Sequence, residues 1–247
     1  SMVHVPLAVD KKFRGSSEQG MYGDVMQEVD WSVGEILSTL EELRLGGNTM
    51  IIYTSDNGPW LNFGNHAGSA YPLREGKGNA WEGGVRVPCI MSFPGTIPGH
   101  SVTDRMASTL DILPTIAAIT GAPLPDKTID GVNILPLLHN MEHANPRNEF
   151  IYYYEGGLCA VRRGDWKLVL PHSYRSYEGV EPGEDGMPGP YSHGKAGLEL
   201  YNLREDIGES HDVAATYPEK VTELLAMADS VRAALGDRIT VFIFFFF

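Results

Sequence analysis

The chain has 247 residues, of which 43% are hydrophobic and 21% are charged, a balance typical of a folded globular protein. Its 32 acidic and 19 basic residues give a formal charge of -13, which argues against nucleic-acid or membrane partners because both favour clustered Lys and Arg. A site for an anion must therefore be a local basic pocket. The two cysteines, Cys89 and Cys159, argue against a disulfide framework or thiolate zinc cluster and leave one disulfide open.

The two chain ends carry no recognisable targeting or membrane segment. The start, Ser1–Pro6, lacks the basic stretch and apolar run of a signal peptide. The end, Phe242–Phe247, is apolar but far too short to span a bilayer. We interpret residues 241–247 as an anomalous apolar tail.

The first predicted element is an amphipathic helix from Asp24 to Leu43, because its apolar residues recur on one helical stripe. Gly46 and Gly47 end the helix, and the apolar run Thr49–Thr54 predicts a buried parallel strand. The strand leads into the polar turn Ser55–Pro59. A helix that feeds a buried strand is half of an α/β unit, and such sheets bind ligands at the carboxyl ends of their strands.

The rest of the first half continues this α/β pattern. Irregularly spaced glycines from Asn62 to Gly84 predict a loop. Val85–Phe93 predicts a further strand, in which Cys89 is interpreted as a small buried residue. Leu110–Thr120 predicts a helix that Gly121 ends.

The second half changes to short strands, which are predicted at Phe150–Tyr154, Leu158–Val161 and Trp166–Leu170. The segment Glu178–Gly197 is crowded with Gly, Pro and Glu and predicts a surface loop. A last amphipathic helix opens at Thr216. This half therefore predicts a small antiparallel α+β subdomain.

Asp56 and Asn57 are the first candidate site residues, because a carboxylate and an amide oxygen at a strand end are hard ligands for Ca²⁺ or Mg²⁺. Two ligands alone do not hold a metal ion. The alternative is an ordinary turn in which both side chains bond the local backbone and Gly58 adopts a positive φ. The spacing alone favours this turn.

Three basic side chains are further candidates. Lys77 lies between Gly76 and Gly78, which let the backbone approach a ligand while the ammonium meets an oxyanion, although such lysines are commonly just solvated. His4 is a candidate proton donor or oxyanion contact, because imidazole titrates near neutrality. His66 belongs to the same glycine-rich loop as Lys77 and is a candidate for the mouth of a pocket.

Short motifs occur along the chain in an order that is more specific than any one of them. The first half contains His4-x-Pro6, Ser55-Asp56-Asn57-Gly58-Pro59, Gly76-Lys77-Gly78, Trp81-Glu82-Gly83-Gly84-Val85-Arg86-Val87-Pro88 and Asp111-Ile112-Leu113-Pro114-Thr115. The second half contains Gly131-Val132-Asn133, Gly164-Asp165-Trp166-Lys167-Leu168, Glu199-Leu200-Tyr201-Asn202-Leu203 and Gly208-Glu209. From about Val3 to Arg238 the series resembles the ordered signature of type I sulfatases.

The resemblance implies a fold as well as a chemistry. Residues 1–145 would be the C-terminal part of an α/β catalytic domain, with part of an alkaline-phosphatase-like sheet sandwiched by helices. Residues 146–240 would be the antiparallel C-terminal subdomain with its final helix. The family also implies one Ca²⁺ and a formylglycine nucleophile made from a cysteine in a Cys-x-Pro/Ala-x-Arg motif.

The resemblance also assigns roles to the candidate residues. Asp56 and Asn57 would ligate the Ca²⁺, Lys77 would bridge the sulfate and the leaving oxygen, and His4 would contact or protonate that oxygen. Substrate contacts would come from Lys77, His4 and His66. Charge stabilisation on the leaving oxygen is commonly the largest catalytic contribution in such sites.

The nucleophile motif is missing from this sequence. Cys159-Ala160-Val161-Arg162-Arg163 has the arginine spacing, but Val161 replaces Pro or Ala, and the cysteine follows the metal motif instead of preceding it. We therefore reject Cys159 as the nucleophile. The paired aspartates that complete the family's metal site are also missing, so we expect a sulfatase fragment that is inactive alone.

The expected parent activity is hydrolysis of sulfate esters of carbohydrates or aryl alcohols, in a periplasmic, extracellular or lysosome-like compartment by resemblance. Two alternatives stay open: a phosphodiesterase or phosphatase of the same superfamily, with a Thr or Ser nucleophile, and a non-catalytic module that binds sulfated glycans. Because several strands of the sheet are missing, we also expect association through exposed edges and apolar faces.

Overall fold

The structure is a computed structural model that describes residues 3–238, so the predicted phenylalanine tail lies outside the described residues. Two compact units share the chain: one combines Ser1–Thr39, Thr54–Pro88 and Ile151–Phe247, and the other combines Leu40–Tyr53 and Cys89–Phe150. The first unit thus contains segments from both sides of the predicted boundary at residue 145, and that domain division stays a prediction. Within residues 3–238, no helix combines the length and the hydropathy that crossing a bilayer requires.

The predicted long helix is confirmed as α1, Gly20–Glu42. The N-terminal part of this helix is bonded to the preceding segment through Asp24, whose carboxylate accepts the backbone N–H of Gly15 at 2.7 Å and of Ser17 at 2.8 Å. These backbone hydrogen bonds lower the pKa of Asp24. The apolar stripe is less buried than the pattern suggests, because Ile36 and Leu37 are 58% and 46% exposed.

A four-stranded sheet in the order β3-β4-β5-β8 forms the core of the first unit. Its strands are β3 (Glu149–Tyr154), β4 (Gly157–Arg163), β5 (Trp166–Val169) and β8 (Glu199–Asn202). Strand β5 pairs antiparallel with β4 and with β8, which confirms the predicted antiparallel subdomain. Helix α5, Pro218–Leu235, covers the sheet and packs Leu224, Met227 and Ala228 into its apolar core.

A separate two-stranded hairpin joins β6, His172–Ser176, to β7, Ser192–Ala196. The prediction of a surface loop over Glu178–Gly197 is therefore wrong for the residues of β7. The local composition does not predict this strand, because the strand is stabilised by pairing with β6 and by the close packing of Gly194. A Cβ on Gly194 would lie only 2.3 Å from the ring of Tyr174.

The glycine-rich segment Asn62–Gly84, which was predicted to be a loop, also contains regular structure. A 3₁₀ helix spans Leu61–His66, and the short helix α2 spans Glu82–Val85. Val85 is therefore helical, and the strand predicted from Val85 to Phe93 is reduced to β2, Cys89–Ser92.

The second unit has a two-stranded sheet of β1, Ile51–Thr54, with β2. Strand β1 is half-buried throughout and Cys89 of β2 is exposed, so the burial predicted for both is wrong. Burial was predicted because β1 and Cys89 are apolar. The two-stranded sheet that they form leaves these side chains partly or fully exposed. The unit's helices are α3, Ile112–Thr120, and α4, Leu135–Leu138, and 3₁₀ turns span Gly46–Asn48 and Thr109–Asp111.

Two motifs of the family-like series meet in the second unit. Asp111 is fully buried and accepts the Val132 backbone N–H at 2.9 Å and Arg147 Nε at 2.8 Å. Thr115 accepts the Ile134 backbone N–H at 3.0 Å. The motif at Asp111–Thr115 thus anchors the segment that follows Gly131, which gives both motifs a structural role.

Candidate active site

The turn Ser55–Pro59 follows β1 and is held by close backbone packing. Ser55 Oγ donates to the Asn57 carbonyl at 3.0 Å, and the Gly58 N–H donates to the Gly84 carbonyl at 3.0 Å. A Cβ on Gly58 would lie 1.8 Å from the Gly83 carbonyl oxygen. Gly58 is therefore needed for this close approach, and it is not among the positive-φ glycines that the turn alternative requires.

The loop that carries Lys77 is docked on this turn. The Lys77 backbone N–H donates to the Pro59 carbonyl at 2.8 Å. A Cβ on Gly76 would lie 2.5 Å from that same carbonyl oxygen, so a larger residue does not fit there. The Asp56-Asn57 motif and the Gly76-Lys77-Gly78 motif are thus neighbouring parts of one packed arrangement.

His4 and Lys77 meet directly although 72 residues separate them in sequence. Lys77 Nζ lies 3.3 Å from His4 Nε2, and both groups border the ring of Trp60, with Nζ 5.2 Å from its centroid. His4 Nδ1 lies 2.8 Å from the Val5 carbonyl oxygen. Since a carbonyl only accepts, the proton belongs on Nδ1 in the neutral ring, and Nε2 accepts from the Lys77 ammonium.

Asp56 and Asn57 offer oxygen atoms suited to a hard cation. Asp56 is exposed and Asn57 half-buried, and within residues 3–238 neither side chain makes a hydrogen bond or ion pair. Two oxygen donors fit the ligand chemistry of Ca²⁺, but that ion takes six to eight oxygens. The described part of the chain has no group of three or more His, Cys, Asp or Glu that could hold a metal ion.

His66 occupies a different environment from His4 and Lys77. It ends the 3₁₀ helix, and its Nδ1 lies 3.4 Å from the position of a Cβ on Gly186. The segment around Gly186 is fastened to this helix, because the Asn62 carbonyl accepts the N–H groups of Gly183 and Gly189 at 2.9 and 2.7 Å. Among the described residues no hydrogen bond, ion pair or ring contact joins His66 to His4 or Lys77, so its predicted role in substrate contact stays a prediction.

Hydrogen bonds from the end of strand β6 fix the Lys77 loop, and the sequence did not predict them. The buried Glu75 carboxylate accepts Ser176 Oγ at 2.6 Å and the Tyr177 N–H at 2.9 Å, and burial raises the pKa of Glu75. The Tyr177 hydroxyl donates to the Lys77 carbonyl at 2.7 Å. The only sequence signal was that Glu75 directly precedes the Gly76-Lys77-Gly78 motif.

A buried charge cluster explains three further motifs. Lys167 Nζ donates to the Ala80 carbonyl at 2.8 Å and pairs with Glu82 at 3.1 Å and Glu209 at 2.7 Å. Tyr152 also donates to Glu82 at 2.9 Å. The motifs at Trp81–Pro88, Gly164–Leu168 and Gly208-Glu209 therefore meet in one buried charge cluster, which also contacts the backbone at Ala80.

Neither cysteine forms a disulfide bond within residues 3–238. Cys159 is buried in β4, and burial raises the pKa of its thiol to about 11. Because the thiolate is the nucleophilic form, this environment suppresses reactivity. The structure thus supports the rejection of Cys159 as a nucleophile.

Comparison with known proteins identifies the family to which the chain belongs. The model of the Sulfatase family matches residues 3–122, and that of the N-sulphoglucosamine sulphohydrolase C-terminal region matches residues 76–175. Human steryl-sulfatase is 42% identical over 166 residues, which cover 65% of this chain and 28% of that protein. Bovine arylsulfatase A is 36% identical over 230 residues, which cover 90% of this chain and 44% of that protein.

Solved structures agree with this similarity. The crystal structure of the PsFucS1 sulfatase from Pseudoalteromonas sp. matches with a TM-score of 0.80 and 26% identity, over 93% of this chain and 46% of that chain. The α/β fold with an antiparallel C-terminal subdomain is thereby confirmed. The chain belongs to the type I sulfatase family and corresponds to its C-terminal portion. It spans less than half the length of these relatives.

Proposed function

We propose that this chain supplies the leaving-group side of the active site of a sulfate-ester hydrolase. The observation that carries the proposal is the 3.3 Å contact between Lys77 Nζ and His4 Nε2, on a loop bonded to the turn of Asp56 and Asn57. These four residues come from three separate segments. Membership of the sulfatase family supports a sulfuryl group as the anion that they bind.

Lys77 and His4 would act on the oxygen that leaves with the alcohol. When a nucleophile attacks sulfur, the bond between sulfur and that oxygen breaks and negative charge develops on the oxygen. The Lys77 ammonium would contact both a sulfate oxygen and the leaving oxygen, and it carries its charge into a site bordered by Trp60. His4 in its protonated form would donate the Nε2 proton to the leaving oxygen.

Asp56 and Asn57 would hold the Ca²⁺ that the family resemblance implies. When bound, such an ion supplies positive charge that polarises the sulfuryl oxygens. The contribution of this chain is to fix two of its ligands at the end of β1 through the packing of Gly58 against Gly83. Further ligands would have to join these two to complete the coordination shell.

The nucleophile would not come from the 247 residues of this chain. Neither cysteine lies in a Cys-x-Pro/Ala-x-Arg motif, and Cys159 is buried with a raised pKa. We therefore expect a polypeptide of these residues alone to bind sulfate esters without hydrolysing them. Its periplasmic, extracellular or lysosome-like location stays a prediction.

Calorimetric titration of the polypeptide with phenyl sulfate, together with a turnover assay, tests this proposal. We expect binding without release of phenol, and Lys77→Ala should weaken binding by about tenfold or more, because a charge-assisted hydrogen bond is lost. Lys12→Ala is the matched control, since Lys12 Nζ also lies over a tryptophan ring, 4.2 Å from the centroid of Trp31. Equal affinity of the Lys77→Ala variant and the native chain, or turnover by the polypeptide, would refute the proposal.

A further inference from the structure

Glu75 has a backbone conformation that residues other than glycine rarely adopt. Its φ is 59°, within the left-handed region. The carbonyl of Glu75 is also closely packed, because a Cβ on Gly83 would lie 2.2 Å from its oxygen. Strained backbone of this kind persists only where surrounding contacts hold it, and it is frequent at functional sites. The conformation of Glu75 therefore depends on the contacts that the residue makes.

The carboxylate of Glu75 is buried and bonded at both oxygens. Only 6% of the residue is exposed, and its two oxygens accept Ser176 Oγ at 2.6 Å and the Tyr177 N–H at 2.9 Å. Within residues 3–238, Glu75 forms no ion pair. Because a buried carboxylate without a cation is costly, a gain in stability does not explain a glutamate at this position. Its two hydrogen bonds instead fix the loop against the end of β6.

Tyr177, which directly follows β6, connects this carboxylate to Lys77. Its N–H donates to Glu75, and its hydroxyl donates to the Lys77 carbonyl at 2.7 Å. Arg175 donates to the hydroxyl oxygen of Tyr177. Since a guanidinium has no acceptor, the Tyr177 proton remains directed at the Lys77 carbonyl. Tyr177 thus bonds both residues that flank Gly76.

Lys77 is consequently bonded at both of its backbone groups. Its N–H donates to the Pro59 carbonyl at 2.8 Å, and its carbonyl accepts the Tyr177 hydroxyl. These two bonds fix the direction in which the side chain leaves the backbone. From this position the ammonium reaches His4, with Nζ 3.3 Å from Nε2. The β6-β7 hairpin therefore contributes to the geometry of the contact between Lys77 and His4.

We propose that Glu75 and Tyr177 are positioning residues for Lys77. The Glu75 carboxylate holds the strained backbone that precedes Gly76, and the Tyr177 hydroxyl holds the Lys77 carbonyl, so that the ammonium is placed for the sulfuryl group before a substrate binds. Both act through the backbone of Lys77 and not on the reacting atoms. This inference rests on the proposed function, because Lys77 is the residue that would contact the sulfate.

The first test compares Tyr177→Phe with the native 247-residue polypeptide. Without ligand, NMR follows the ¹⁵N signal of His4 Nε2, which should shift because Lys77 loses one anchor. Calorimetric titration with phenyl sulfate should show binding weakened by about fivefold or more, and the melting temperature should stay within about 4 °C. Tyr191→Phe is the matched control, since Tyr191 also contacts Arg175 but is 45% exposed, and it should change neither readout.

The second test is a series of variants at Glu75. Glu75→Gln should keep the native His4 signal and affinity within about twofold, because its amide can accept the Tyr177 N–H and donate to Ser176 Oγ. Glu75→Ala removes both bonds and should weaken phenyl sulfate binding by about fivefold or more. Glu75→Gly fits the positive φ but also lacks the side chain, so it should weaken binding as Glu75→Ala does.

The other outcomes would overturn the inference. These are a native His4 signal or native affinity in Tyr177→Phe or Glu75→Ala, native behaviour of Glu75→Gly, and a loss in Glu75→Gln equal to that in Glu75→Ala. If Glu75→Ala does not fold, Tyr177→Phe decides, because it removes a single oxygen atom. Absence of phenyl sulfate binding by the native chain would refute the proposed function, and the His4 signal of the unliganded variants would still decide whether Glu75 and Tyr177 position Lys77.

Discussion

Lys167 is a fully buried lysine whose ammonium lies between two buried carboxylates, Glu82 and Glu209. Burial raises the pKa of Glu209, whereas for Glu82 burial is outweighed by the charges of Lys167 and Arg162, which lower its pKa. The sequence showed these residues only as members of separate motifs. Their contact could not be predicted, because it joins residues up to 127 positions apart and depends on the tertiary fold.

Lys167→Ala should destabilise the fold by roughly 3–5 kcal/mol, because two buried carboxylates would lose their cation. Urea unfolding followed by circular dichroism measures this loss. Arg204→Ala is the control, since Arg204 is 74% exposed and its pair with Asp165 at 3.8 Å should contribute less than about 0.5 kcal/mol. A loss below about 1 kcal/mol for Lys167→Ala would show that the cluster is not needed for stability.

Among the elements, the turn after β1 and the Lys77 loop depend on backbone contacts that only glycine permits. The sequence predicted the strand end, the glycine-rich character of the loop and the candidate residues Asp56, Asn57 and Lys77. The turn alternative assigned Gly58 a positive φ, whereas in the structure Gly58 is required because it lies in close contact with the Gly83 carbonyl. Such close backbone contacts produce no periodic pattern in the sequence. Strand β7 also lacks such a pattern, because it forms by pairing with β6.

Gly58→Ala should destabilise the chain by about 2 kcal/mol or more and weaken phenyl sulfate binding, because its Cβ would overlap backbone and force the turn away from the Lys77 loop. Gly34→Ala in α1 is the matched control. A Cβ there meets nothing within 4 Å, so helix propensity should stabilise the chain by about 0.5–1 kcal/mol. Thermal and urea unfolding with phenyl sulfate titration would detect both effects, and a neutral Gly58→Ala would refute the packing argument.

At the scale of the whole molecule, the net charge argues against nucleic acid as a partner class. The ordered motifs indicated the family, the fold class and the antiparallel subdomain, and the comparisons confirm these three predictions. What the sequence could not provide is the burial of individual elements. The apolar stripe of α1 and Cys89 of β2 were expected to be buried, but Ile36, Leu37 and Cys89 are exposed in the structure. Association through such surfaces stays a prediction.

The central claim is that the turn of Asp56 and Asn57, the Lys77 loop and His4 form one sulfate-binding site. The most direct test is a titration of the ¹⁵N-labelled polypeptide with inorganic sulfate, followed by NMR at the backbone amides of Asn57, Gly58 and Gly78 and at the ring of His4. We expect these signals to shift together with a single dissociation constant, and Lys77→Ala to abolish the shifts. Shifts confined to one of the segments, or unchanged in the Lys77→Ala variant, would contradict the account.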